Sequence, residues 1–288
     1  MKVMTNQSIF GRPDFLGMSY FLRGLRAAES VAKLETRQGG SATGFLVGPG
    51  LLLTNHHVLP SVDVAPLYYA DFEQMAPSGG RVRGERFTLD PKRCFITDVD
   101  LDYTLVAVSA RSLDQGDVLR YGWLNLNRGA RRSPGDPVSM IQHPLGAPKQ
   151  ITIRENKVLE LRTQAELPAS RLWYTCDVVA GSSGAPVFDD EWRVVAIHSG
   201  EFLRDKSGPP VELSFGTEEV VPRSRDEDVL ANEGVSIDAI LEDIGQRLQQ
   251  NTHSLVSVLF KPEGVQEAQF GGHATYSRLA CDGCSRSR

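Results

Sequence analysis

The chain has 288 residues, 41% hydrophobic and 23% charged. Those fractions are near globular averages and exclude disorder, collagen or a coiled coil as the whole-chain answer. Lys and Arg number 31 against 36 Asp and Glu, a net charge of −5, which leaves no electrostatic footprint for nucleic acid or an anionic membrane.

The longest nearly apolar stretch, residues 44–53, is interrupted by glycines and a proline. It falls well short of the roughly 20 residues that span a bilayer. The N-terminal MKVMTNQSIFGRPDF has no apolar h-region and no small-residue cleavage site, so no secretory signal is read there. Four cysteines, Cys94, Cys176, Cys281 and Cys284, are too few and too unevenly placed for a disulfide framework. The expectation is a soluble, reduced, cytoplasmic protein, although a mature secreted chain would also lack its signal.

In chain order, Met18, Phe21, Leu22, Leu25, Ala28 and Leu34 predict an amphipathic helix over 17–34 that packs on the body. A helix that docks on a partner is the alternative. Short apolar runs follow at 42–47, 51–54, 86–89 and 104–108. A second set lies at 138–142, 150–153, 158–161, 173–176, 186–188 and 194–198. Their turn-bounded spacing predicts strands. Residues 201–231 are polar and acidic and read as a long surface loop. Val235, Ile237, Ile240, Leu241, Ile244 and Leu248 then follow helical spacing around Asp238, Glu242 and Asp243, predicting a packed C-terminal helix. Strand clusters with helices only at the ends predict an all-β protein of two barrel-like units. The expected boundaries are an N-terminal helical extension 1–34, a first barrel 35–115, a connector 116–132, a second barrel 133–234, a helix 235–249 and a tail 250–288.

Three segments carry chemistry. In LLLTNHHV (51–58) an apolar strand ends in Thr-x-x-His. In DYTLV (102–106) an acid opens an apolar strand. In GSSGAPVF (181–188) a serine between glycines feeds a strand. Serine is a poor nucleophile at neutral pH; it needs a base in hydrogen-bond reach, and the base needs a third group to fix its tautomer. Flanking glycines allow the sharp turn that aims amide N–H groups at a developing oxyanion. The order His, Asp, Ser differs from that of α/β-hydrolases and subtilisins. Singly, each segment has a bland explanation: a structural histidine, a turn aspartate, a flexible loop. Together, in this order and each at a strand end, they point to nucleophilic catalysis.

These segments resemble the chymotrypsin/trypsin-like serine peptidase family from about residue 40 to 245. The form is closest to bacterial glutamyl endopeptidases, with their Thr-Asn-x-His-Val. LLLTNHHVL, TCDVVAGSSGAPVFDDEWRVVAIHSG and ANEGVSI also resemble intracellular bacterial trypsin-like peptidases of conflict and defence systems. The resemblance implies two six-stranded antiparallel barrels. It also implies His57 as base, Asp102 as orienting acid and Ser183 as nucleophile, with an oxyanion hole from the Gly181 and Ser183 amides. Neighbours at a strand end face opposite sides, so His56 does not share the role of His57. A charged residue interrupts the run after Asp98 and after Asp100, so both fit less well than Asp102. Ser199 is expected near the buried acid, with Gly200 pairing the substrate backbone. No metal or cofactor is required. The partners are a protein or peptide substrate and, by expectation, a regulatory protein; the defence resemblance suggests antiviral cleavage of a partner.

Two positions depart from secreted relatives. Val58 stands where they carry a cysteine, and Ser182 where zymogens carry an acid before the nucleophile. No activation by an N-terminal ion pair is therefore expected, and no obligatory cleavage near residue 35. Restraint of the site is instead expected from the 201–231 loop or the N-terminal helix. Specificity is contested. Asp177, six residues before Ser183, sits where trypsin-like members select Arg or Lys, since a buried carboxylate prefers a cation. His198, fifteen after Ser183, sits where glutamyl endopeptidases select Glu. The basic reading is preferred, and small or apolar residues stay open. Structural explanations for the pair are a loop-shaping hydrogen bond and a satisfied core histidine. Gln142-His143-Pro144 is read as a structural turn and Cys176 as a buried small apolar residue. Cys281-x-x-Cys284 with His273 lacks a fourth zinc ligand nearby and is read as an unstructured tail. A catalytically silent protease fold serving as a binding scaffold is the alternative function.

Overall fold

The computed structural model describes residues 15–72, 84–126, 128–129, 132–162, 169–204, 207, 212–214, 228–250 and 255–260. It is mostly β, with α1 (Ser19–Glu29) before the strands and α2 (Ile237–Gln250) after them. The first sheet takes β1 (Val31–Thr36), β2 (Ser41–Gly48), β3 (Leu51–Thr54), β4 (Tyr68–Phe72), β5 (Glu85–Thr88), β6 (Phe95–Asp98) and β7 (Tyr103–Ala107), in the order β5-β4-β1-β2-β3-β7-β6. The second takes β8 (Ser139–Gln142), β9 (Gln150–Thr152), β11 (Arg171–Tyr174), β12 (Pro186–Phe188), β13 (Val194–Leu203) and β15 (Val229–Ser236), in the order β11-β15-β13-β12-β8-β9. A separate ribbon pairs β10 (Glu160–Arg162) with β14 (Glu212–Ser214). All pairings are antiparallel.

The expectation of two six-stranded barrels is corrected: the first sheet has seven strands, and neither closes by a continuous ladder. Isolated bridges stand where closure would fall. Leu89↔Val108 turns the end of β5 back onto β7, and Pro137↔Lys157 and Val158↔Tyr174 carry residues 157–158 from β8 across to β11. Pro137 has no N–H to extend its bridge into a ladder. Two further readings change. Residues 201–231 are not wholly loop, since β13 runs to Leu203 and β14 and the start of β15 lie within them. The C-terminal helix begins at Ile237 because Val235 is still in β15, paired with Ile197.

The apolar runs lack simple alternation because both faces of the central strands are covered. In β3, Leu51 and Leu53 enter the main core beside Phe45, Tyr103, Leu105 and Ile240, while Leu52 enters the interior of the first sheet with Leu34, Leu46, Phe72 and Phe87. All three leucines are fully buried; truncating one to Ala costs about 2–5 kcal/mol. β7 divides the same way, Tyr103 and Leu105 facing the main core and Val106 the sheet interior.

The helix expected over 17–34 ends at Glu29, Leu34 already belongs to β1, and of the expected stripe only Ala28 is buried within α1. Tyr20, Gly24, Ala27 and Ala28 are buried, while Met18, Phe21, Leu22 and Leu25 are exposed. The cause is close approach: a Cβ on Gly24 would lie 2.4 Å from Cζ2 of Trp192. α2 docks through Ile237, Ile240, Leu241 and Ile244 as its spacing predicts. No helix among the described residues is long and apolar enough to cross a membrane.

Candidate active site

β3 and β7 run side by side and end at the same edge of the first sheet, Thr54 opposite Thr104. That register brings the turn after β3, with His57, to the turn before β7, with Asp102. The Asn55 amide bonds the Asp102 carbonyl at 3.0 Å and locks the two turns together. The His57 ring is half-exposed, and its Nδ1 lies 2.9 Å from Asp102 Oδ2. The His57 backbone N–H donates to Asp102 Oδ1 at 3.0 Å. An ionised carboxylate only accepts, so neutral His57 carries its proton on Nδ1 and offers a lone pair on Nε2. His56 points elsewhere, to Thr97 Oγ1 at 2.8 Å.

Ser199 Oγ donates to Asp102 Oδ2 at 2.5 Å. A register shift between His198 and Gly200 in the β13–β15 ladder frees Ser199 from strict alternation, the re-aiming that a bulge performs. Burial pushes the Asp102 carboxyl up, but the bonds from His57 and Ser199 outweigh it, and the net pKa lies below the usual carboxylate value. Asp102 itself has φ +46°, a left-handed conformation uncommon for a residue with a Cβ.

Ser183 sits in a turn between Gly181 (φ +97°) and Gly184 (φ +83°). A Cβ on Gly184 would lie 2.1 Å from the Thr43 carbonyl and 2.4 Å from Thr54 Oγ1. The serine turn is thus pressed against the strands that lead to His57. Thr43, buried in β2, holds the turn twice: its N–H donates to the Ser183 carbonyl at 2.8 Å and its Oγ1 to the Gly181 carbonyl at 2.8 Å. The sequence reading missed Thr43; its only signal is a polar residue inside an apolar strand. Neither the Gly181 nor the Ser183 amide finds an acceptor among the described residues, the condition an oxyanion hole requires. His57 and Asp102 are joined, but Ser183 Oγ and His57 Nε2 make no hydrogen bond to each other among the described residues. Such contacts are often long without substrate and tighten when it binds.

The specificity candidates separate. His198 is buried, its Nδ1 2.8 Å from the Tyr174 hydroxyl. Burial, then the nearby His57, lower its pKa to about 4 against a smaller pull from Asp102. Its backbone holds the nucleophile turn: the carbonyl accepts from Gly184 N at 2.9 Å, and the N–H donates to Ala185 O at 2.8 Å. Asp177 is exposed and lines a cavity of about 530 Å³ with Glu155, Glu201, Tyr174 and Asn232. Gln142 donates to the Asp177 carbonyl at 2.9 Å, so the 142–144 turn supports this loop. Gly200 faces open space. Cys176 differs from its reading as a buried apolar residue: it is part-exposed and its Sγ is 3.0 Å from Thr152 Oγ1. Burial nevertheless pushes its thiol up to about 12. Cys281, Cys284 and His273 lie outside the described residues.

Fold and site together define a β-rich architecture with His57 and Asp102 at the edge of one sheet and Ser183 in the turn that feeds the other. The chain belongs to the trypsin-like peptidase domain family, whose profile matches residues 42–197. It is 34% identical over 266 residues to the uncharacterized protein y4fB of Sinorhizobium fredii, a match that covers 84% of this chain and 39% of that protein. The chain therefore spans well under half the length of this curated relative. The serine endoprotease of Yersinia pestis superposes with a TM-score of 0.50 at 15% identity, over 82% of this chain and 69% of that one. An inactive form of Rv3671c from M. tuberculosis gives 0.49 at 14% identity, over 80% and 91%.

Proposed function

We propose that the chain is a serine endopeptidase. The observation that carries this reading is the Asp102 carboxylate, which gathers His57 Nδ1, the His57 backbone and Ser199 beside the glycine-bracketed Ser183 turn. His57 Nε2 takes the Ser183 proton as Oγ attacks the scissile carbonyl. Asp102 keeps the imidazole in the productive tautomer and stabilises its cation, and the Gly181 and Ser183 amides hold the oxyanion. His57 returns the proton to the leaving amine, and water then cleaves the acyl-enzyme by the same steps in reverse.

The primary pocket fits a basic side chain. Asp177, Glu155 and Glu201 line the cavity, with Arg154 as the one cationic side chain among the described residues. A pKa near 4 leaves His198 neutral at pH 7 and engaged with Tyr174, a poor receptor for a glutamate. Asp177→Asn in a positional peptide library tests this: the preference for Arg or Lys disappears, whereas an unchanged profile ends the assignment.

The reading includes no activation by an N-terminal ion pair. Ser182 is fully buried and its Oγ accepts from Val179 N at 3.2 Å. Glu35, near the expected cleavage point in secreted relatives, pairs with Ser41 on one side and Tyr69 on the other, so a cut there would break a doubly paired strand. The resemblance to intracellular defence peptidases supports a regulated cytoplasmic enzyme that cleaves a partner protein. The open Ser183–His57 contact is what a silent binding scaffold would also show. Fluorophosphonate labelling decides: the wild-type chain is labelled and Ser183→Ala is not, while an unlabelled wild type supports the scaffold.

A further inference from the structure

We infer that α2 positions the acid of the site, through a clamp formed by Asp243 and Arg247 on the helix and by Tyr103 and Asp98 on either side of the Asp102 turn. This rests on the peptidase reading above. Asp243 Oδ2 accepts from the Tyr103 hydroxyl and, at 2.7 Å, from Arg247 Nε. The same guanidinium reaches Asp98 Oδ2 through Nη2 at 2.5 Å. Asp98 spends its other oxygen on the Leu101 N–H at 2.9 Å, one residue before Asp102. One line of bonds therefore runs from the helix into the backbone just before Asp102, and another into the side chain just after it. From β11, Arg171 Nη2 holds the Asp100 carbonyl at 2.7 Å, so the crown of the turn is also fixed.

The turn needs such support. Asp102 lies at φ +46°, where a non-glycine residue persists only when its surroundings over-determine it. Isolated exposed ion pairs contribute little, but this clamp is not isolated. The Tyr103 ring is fully buried, and burial and then Asp243 raise its pKa well above the usual phenol value, so it remains a donor. One planar fork also joins two carboxylates that are 145 residues apart in the chain, the geometry for which Arg and Lys are not interchangeable. When the clamp loosens, the turn relaxes toward ordinary φ and the Asp102 carboxylate drifts from His57 Nδ1. Tyr103, Asp98, Asp243 and Arg247 are thus positioning residues, acting on the reaction only through Asp102.

The test compares wild type with Tyr103→Phe, Arg247→Met and Arg247→Lys. It reads the rate of fluorophosphonate inactivation at Ser183, kcat and KM on a cleaved peptide, and the melting temperature. Small displacements of catalytic groups are costly, so Tyr103→Phe and Arg247→Met each lower kcat and the inactivation rate by about ten-fold. KM stays within about two-fold, because the clamp touches no substrate. Arg247→Lys keeps the charge and recovers part of the loss. Folded variants that react as fast as wild type overturn the proposal, as does a loss that disappears once rates are normalised to the folded fraction. A wild-type chain that fluorophosphonate does not label ends the peptidase reading itself, and this proposal with it.

Discussion

Acidification from about pH 6.5 toward pH 4 should destabilise this protein through His198. The His198 pKa falls from 6.5 to about 4, first because it is buried and then because His57 lies close. The unfolded chain binds a proton at His198 below about pH 6.5, and the folded chain declines it until about pH 4. Between those limits the unfolded state holds more protons, so stability falls as pH falls. The gap of about 2.5 units, at 1.36 kcal/mol each, gives a loss of about 3 kcal/mol complete near pH 4. That is a large share of the stability of an ordinary domain. The assay is urea unfolding followed by tryptophan fluorescence from pH 7.5 to 4, on wild type and His198→Gln. Glutamine does not titrate. At pH 7.5 the variant is weaker by about 1 kcal/mol, for the lost Tyr174 contact; toward pH 4 that difference closes and reverses. His143 steepens both curves alike, since burial, then Lys149, depress its pKa to about 3. Asp102, with its lowered pKa, contributes stability above the unfolded carboxylate value near 3.8 and loses it only at still lower pH. Parallel stability curves for wild type and His198→Gln would refute the burial argument.

Ser199→Ala removes a donor from an ionised carboxylate, a bond of about 1.5–3 kcal/mol. It should lower kcat by roughly ten- to a hundred-fold with little change in KM, and steady-state kinetics checks it. Gly184→Ala forces a Cβ to 2.1 Å from the Thr43 carbonyl at φ +83°. The variant should lose fluorophosphonate labelling and melt well below wild type; a melt and labelling rate equal to wild type would show that the turn is not clamped. Burial pushes the Cys94 thiol up to about 11 and the Cys176 thiol up to about 12. At pH 8 iodoacetamide should therefore leave both unmodified in the native protein and alkylate both in urea, as peptide mass spectrometry can read; rapid native modification of either would contradict the burial argument.

What the sequence made legible is local, and what it hid is either long-range or a matter of size. His57, Asp102 and Ser183 were readable because each sits where an apolar run stops or starts, and antiparallel register carries such ends to one edge. Ser199 was placed by the family resemblance alone, since a one-residue register shift leaves no mark in Val-Val-Ala-Ile-His-Ser-Gly. The clamp on Asp102 was invisible: Tyr103 looks like one more core aromatic, and Asp243 and Arg247 look like an ordinary i, i+4 ion pair on an amphipathic helix. The strand Tyr68–Phe72 is hidden for a similar reason, because Asp71 breaks its apolar run. That carboxylate is buried and paired with Arg86 across the ladder, which no local pattern reveals.

The reversed face of α1 is the more general lesson. Hydrophobic periodicity weighs side chains by size and so favours Met18, Phe21, Leu22 and Leu25. Burial is instead decided by what stands opposite. Trp192, at φ +62° in its turn, packs so close to the helix that a Cβ at position 24 would lie 2.4 to 2.9 Å from three of its ring atoms. The Tyr20 and Trp192 rings meet with centroids 5.0 Å apart. A close helix crossing needs small residues in contact and gathers its apolar area from the partner, here an indole that alone buries on the order of 200 Å². The Tyr20 hydroxyl then bonds Ser139 Oγ at 3.0 Å, tying the helix to the second sheet as well. A sequence reading that scored Gly24, Ala27 and Ala28 as a contact stripe, and a downstream tryptophan as its partner, would have chosen the buried face.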